Sequence, residues 1–109
     1  MPAMTALTYE ILLSLADDDR HGYGIIKEIE GRSGAGAAPS TGALYLALQR
    51  MESDALIVKT DASDPDADRR RRYYRLTEKG RLHGEAESMR LASLVAAARG
   101  KRLISGRPA

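Results

Sequence analysis

The chain has no cysteine, no tryptophan and no phenylalanine. Without cysteine there are no disulfides, no thiolate metal sites and no cysteine nucleophile. Without Trp or Phe, no ligand can be held between indole or phenyl rings. Histidine is limited to His21 and His83, too few and too far apart in sequence for a metal set. No apolar run approaches the ~18 residues that a membrane span requires. The N-terminal stretch has no basic lead, and Asp17, Asp18 and Asp19 follow it, so no signal peptide is read. No nucleophile is paired with a base. Gly34 and Gly36 lie beside no predicted strand, which removes a phosphate-cradling loop. These absences predict a cytoplasmic protein that is not an enzyme, with no metal, no cofactor and no membrane partner.

What is present suits one small domain. The 109 residues leave no room for a second core, and an apolar fraction of 43% supports a packed interior. The net charge of +2 hides an asymmetry: residues 1–68 hold 5 Lys/Arg against 12 Asp/Glu, whereas residues 69–109 hold 12 against 3. A basic half joined to an acidic half points to an anionic partner more than the net charge does.

Periodicity predicts the elements in order. Thr5 to Ala16 reads as a helix with Leu7, Ile11 and Leu15 on one face. The three aspartates that follow end it and offer a cap for the next. A second helix runs from about His21 to Arg32, with either Tyr23, Ile26 and Ile29 or Ile25 and Ile29 as its apolar line. His21 is expected to pack or cap near its start. Residues 33–36 form a turn. Ser40 caps a third helix whose Leu44, Leu48 and Met51 make one buried stripe, ending near Asp54. Residues 56–60 form a strand, 61–68 a polar turn and 70–76 a second strand, with Arg72, Tyr74 and Leu76 on one side and Arg71, Tyr73 and Arg75 on the other. Thr77 caps a long helix from Glu78 to about Ile104. Leu82, Ala86, Met89, Ser93, Ala96 and Leu103 form a candidate seam on it, and Leu91, Leu94, Val95 and Ala98 a second apolar line. At ~1.5 Å per residue it spans roughly 40 Å, longer than the body it leaves, and the simplest cover for it is a second copy.

Three helices, a hairpin and a long helix give a mainly α fold with a small β-hairpin, in the order of a winged helix-turn-helix with a C-terminal dimerisation helix. The expected division is 1–76 for the winged unit, 77–104 for the dimerisation helix and 105–109 for a disordered tail. Four segments then carry a resemblance. They are His21-Gly22-Tyr23, Gly42-Ala43-Leu44-Tyr45, Leu56-Ile57, and Arg72-Tyr73-Tyr74-Arg75-Leu76-Thr77-Glu78-Lys79-Gly80-Arg81. In this order and spacing the chain resembles the PadR family of bacterial transcription regulators over residues 5 to 82. Its short C-terminal region resembles the subfamily with a single dimerisation helix. It departs from the family pattern at Ala43 (usually Thr), Leu46 (usually Pro) and Ala55 (usually Gly). The first two bear on which bases are read, and the third on the turn.

Double-stranded DNA is the partner implied. The exposed face of helix three offers Ser40, Thr41, Tyr45, Gln49 and Arg50. Gln can read adenine, and Arg can read guanine or hold a phosphate. By periodicity alone Gln49 and Arg50 fit a solvated face equally well. Tyr45 reads as core or as a phosphate contact, and the resemblance implies the contact. The wing carries Arg69, Arg70, Arg71 and Arg72, suited to the negative potential of a minor groove or, alternatively, paired with Asp64, Asp66 and Asp68. Those acids are expected to restrain non-specific grip. The resemblance implies a repressor acting as a homodimer on an inverted repeat. The alternative is a winged-helix adaptor that binds protein rather than DNA. Some small-subfamily relatives hold flat aromatic ligands with tryptophan at the dimer interface, which this chain, lacking Trp, cannot do. Any effector pocket here would use Tyr9, Leu82, Met89 and Leu91, residues read first as plain dimer packing.

Overall fold

The computed structural model describes residues 4–61 and 71–105. The order is α1 (Ala6–Leu15), β1 (Arg20–His21), α2 (Gly22–Ser33), a short 3-10 turn (Ala35–Ala37), α3 (Thr41–Ser53), β2 (Ile57–Thr60), β3 (Tyr73–Leu76) and α4 (Glu78–Gly100). The fold is mainly helical with a small antiparallel sheet, as expected. The sheet has three strands rather than two, ordered β1-β3-β2, with Ile57 opposite Leu76 and Thr60 opposite Tyr73. The added strand β1 pairs Arg20 with Tyr74 and His21 with Tyr73.

Each of these four helices begins with a side chain accepting an orphan backbone N–H. Thr5 accepts from Thr8, His21 from Gly24, Ser40 from Ala43 and Thr77 from Gly80. The cap of α2 is therefore His21 and not one of the preceding aspartates. The carbonyls at the end of α1 are taken by arginines instead: Arg20 Nε donates to Ser14 O at 2.8 Å, and Arg81 Nη2 to Ala16 O at 2.9 Å.

The core lies where α1, α2, α3 and the sheet meet. It is built from Ile11, Leu12 and Leu15, from Ile25 and Ile29, from Leu44, Leu48 and Met51, and from Leu56, Ile57 and Tyr74. The open choice on α2 falls to Ile25 and Ile29. Ile26 is only partly buried, and Tyr23 is turned outward. Ser14 is fully buried with its needs met: Oγ donates to Glu10 O and receives Arg32 Nη2, while Arg32 also bonds Glu10 Oε1 at 2.8 Å.

Two helices stop without glycine at the usual place. After α3, Leu56 N–H reaches Met51 O and Ala55 N–H reaches Glu52 O, with Ala55 at φ 60°. After α4, Leu103 N–H reaches Ala98 O and Arg102 N–H reaches Arg99 O, with Arg102 at φ 64°. Both are Schellman ends, in which a left-handed residue turns the chain back onto the last carbonyls. This motif ends α4 at Gly100, short of the expected Ile104, and leaves Leu103 outside the helix and 81% exposed. The expected strand from residue 70 begins instead at Tyr73. The tail residues 106–109 lie outside the described residues.

Candidate nucleic-acid interface

Helix α3 buries Leu44, Leu48 and Met51 and turns the opposite side outward. That outward side carries Thr41, Gly42, Ala43, Tyr45, Leu46, Gln49, Arg50 and Ser53, all exposed. The cap hydroxyl of Ser40 accepts from Ala43 N–H at 3.1 Å, which leaves its proton available to an outside acceptor. Of the helix-three residues expected to meet DNA, Ser40, Thr41, Gln49 and Arg50 therefore share one exposed surface with Tyr45.

Tyr45 is neither core nor freely projecting. It is 48% exposed, and its ring lies over buried Gly22 at the start of α2. A methyl built on Gly22 would stand 2.5 Å from the Tyr45 hydroxyl oxygen. Glycine is needed here by close approach, not by an unusual backbone angle. The contact sets α3 against the first turn of α2.

The foot of the wing meets that same turn. His21 Nδ1 accepts from Gly24 N–H at 2.9 Å, so its ring proton belongs on Nε2. Arg71 Nη1 lies 3.3 Å from the same nitrogen. The His21 ring meets Tyr73 edge-on at 5.2 Å between centroids. Arg71 also lies over the Tyr23 ring at 5.5 Å, and Lys27 over it at 5.2 Å. Both are in range for cation–π attraction. Contact with Tyr23 first, and with Glu30 next, raises the Lys27 pKa above the ordinary lysine value, so the ammonium stays charged. In the sequence this pair shows only as an aromatic and a lysine at i, i+4, and an aromatic at Tyr23 fits an apolar position equally well. Further along β3, Arg75 forks onto Asp19, with Nη2 at 2.7 Å and Nε at 3.1 Å. The expected alternation holds: Tyr74 is buried beside the core, and Arg75 faces out. Arg71 and Arg72 are exposed. Arg69, Arg70, Asp64, Asp66 and Asp68 lie outside the described residues.

Helix α4 is locked to the end of α3. Thr77 Oγ1 donates to Ala55 O at 2.6 Å, Lys79 Nζ to Asp54 O at 2.8 Å, and Thr77 N–H to Leu56 O at 3.1 Å. Gly80 is buried there, and a methyl on it would collide with the Leu56 carbonyl oxygen. Further along, α4 rests on α1 through Gly84 and Ser88, the latter within 2.6 Å of the Tyr9 hydroxyl. Helical spacing continues that face as Leu91, Val95 and Ala98. Val95 is 41% exposed and neighbouring Leu94 53% exposed.

The expected seam lies on the other side of α4, where Leu82, Ala86, Met89, Ser93 and Ala96 are all exposed. Leu103 does not belong to it, because the helix has already ended. A groove of about 340 Å³ between α1 and α4 is lined by Tyr9, Leu12, Leu13, Gly84 and Met89, among others. Of the four residues expected around an effector pocket, it contains Tyr9 and Met89 but not Leu82 or Leu91. Among the described residues no cluster of His, Asp and Glu could hold a metal ion. No described helix is long and apolar enough to cross a membrane.

Comparison with known proteins agrees with this architecture. The profile of the transcriptional regulator PadR-like family matches residues 11–86. A PadR family transcription regulator from Clostridium difficile R20291 is 29% identical, with a TM-score of 0.76 over 88% of this chain and 97% of that one. A PadR-like transcriptional regulator from Bacillus cereus is 24% identical, with a TM-score of 0.72 over 92% and 93% of the two chains. A transcriptional regulator from Clostridium thermocellum, 22% identical, shares the fold with a TM-score of 0.70 over 91% and 97%. No curated protein sequence matches this chain.

Proposed function

The chain belongs to the PadR-like family of transcriptional regulators, and from that premise we propose that it is a homodimeric repressor reading an inverted-repeat operator. The observation that carries the reading is the outward side of α3. It is a helix face stripped of core duties, flanked by the cationic foot of the wing. Helix three of each copy enters a major groove, with half-sites one turn, ~34 Å, apart. Gln49 and Arg50 supply base-edge contacts. Ser40, Thr41 and the Tyr45 hydroxyl meet the backbone, and Arg69, Arg70, Arg71 and Arg72 follow the adjacent groove. Lys27 adds a phosphate contact beside Tyr23. Phosphate contacts set position and base contacts set sequence.

The second copy is proposed from α4. Its 23 residues extend roughly 35 Å. The half beyond Ser88 carries Leu94 and Val95 exposed, and Leu91 and Ala98 only partly buried. The groove between α1 and α4 of one copy fits this half of the other, and the outer line of Leu82, Ala86 and Met89 extends the contact. Because Thr77, Lys79 and Gly80 tie α4 to the end of α3, the way two copies clasp fixes the distance between their reading helices. Any effector that alters the clasp alters that distance.

Sedimentation of the protein alone and with genomic duplex fragments tests this. The expected result is a dimer in both states, with two copies per bound duplex. A monomer in both states, or no complex with any fragment, overturns it.

A further inference from the structure

One side chain interrupts the polar character of the reading face. Leu46 is 58% exposed, and helical spacing sets it in the middle of the outward side of α3, between Gly42 and Arg50 and away from Leu44, Leu48 and Met51. Ala43, three residues earlier on the same side, is also exposed. A side chain at Gly42 would meet nothing within 4 Å, so packing inside the protomer does not require glycine there, and its bareness lets an outside surface approach the backbone. Gly42, Ala43 and Leu46 thus make an apolar spot on the outward side, with exposed Thr41 and Tyr45 on one flank and Gln49 and Arg50 in the turns that follow.

A single exposed leucine is ordinary on a protein surface. This one stands on the part of a recognition helix that faces base edges. The apolar group by which a base is distinguished in the major groove is the C5 methyl of thymine. We propose that Leu46, with Ala43 beside it, reads thymine methyl groups in each half-site. The inference rests on the DNA-binding reading above and adds the base class that the centre of the face selects. A protein partner is the poorer occupant, because exposed Gln49 and Arg50 follow the apolar spot on the same side of α3.

The test begins with selection from a random duplex pool by the parent protein. Each thymine of the selected half-site is then replaced by uracil, which removes the methyl and leaves the pairing edge intact. At one or two positions the parent should lose about fourfold in affinity, the worth of one buried methyl-sized group. Leu46→Ala should melt like the parent and show no penalty at one of those positions. A parent indifferent to uracil at every position overturns the proposal while leaving DNA binding intact. So does a Leu46→Ala variant that keeps the full penalty pattern. A parent that enriches no sequence overturns the DNA reading itself, and this inference with it. The uracil scan of the parent needs no variant, so the proposal stays testable if Leu46→Ala fails to fold.

Discussion

The Tyr45 hydroxyl lies so close over Gly22 that a single added methyl would stand 2.5 Å from it. Helix α3 is thereby braced on the first turn of α2 by a side chain that is itself half exposed. Gly22→Ala should push the ring outward. Because its far side is open, the stability loss should be about 1 kcal/mol, the low end for overpacking. DNA affinity should fall more than stability. Combined with Tyr45→Ala, Gly22→Ala should add nothing further, and a double-mutant cycle on binding reads that coupling. Additive losses would remove the brace.

Gly80 and Gly84 lie on the same side of α4 but should respond with opposite signs. At Gly80 a methyl meets the backbone oxygen of Leu56, which cannot move without breaking its bond from Thr77 N–H. Gly80→Ala should cost about 3 kcal/mol even after alanine's gain in helix propensity. At Gly84 the nearest atoms are Leu12 side-chain carbons at 3.9 Å, ordinary contact, so Gly84→Ala should gain roughly 0.5–1 kcal/mol. Thermal melts of the two variants check this.

Ala55 holds a left-handed backbone at φ 60° between α3 and β2. An L-residue pays about 1–2 kcal/mol for that conformation, and glycine pays little. Ala55→Gly should therefore raise stability by about 1 kcal/mol, measured by denaturant midpoint. The turn's hydrogen bonds from Leu56 and Thr77 should survive unchanged.

Arg71 and Gln49 should separate affinity from specificity. Arg71→Ala should weaken binding on all sequences and flatten the slope of log K against log salt by about one unit. Gln49→Ala should leave that slope alone and relax the preference at one base pair. A salt titration on two unrelated duplexes distinguishes them. If both variants bind like the parent, the docking face is wrong.

Burial, with the nearby Glu52 carboxylate next in weight, raises the Tyr74 pKa above the ordinary tyrosine value. The neutral phenol is thus favoured in the folded protein. Its stabilising share is full below the unfolded value of about 10 and is lost as pH rises from there through the higher folded value. Tyr74→Phe should blunt the fall in stability on the alkaline side and leave the neutral range without a new pH dependence. An unchanged alkaline limb would show that the loss comes from elsewhere.

The helices, the buried stripe of α3, the caps at Ser40 and Thr77, and the wing order were all readable from residue types a few positions apart. Helical periodicity and N-capping act over three or four residues, so the linear sequence contains both partners. The pairing of Arg20 and His21 with Tyr74 and Tyr73, the Arg75–Asp19 fork, the brace of Tyr45 on Gly22, and Gly80 under the Leu56 carbonyl were not readable. Each joins positions from 23 to 56 residues apart, and neither partner shows the other until the chain has folded back. The outward turn of Tyr23 and the stop of α4 at Gly100 belong with them. An aromatic residue can serve core or surface, and a left-handed end at Arg102 uses a residue whose type does not announce it. The local code decided which elements form; packing between them decided which faces remain open to a partner.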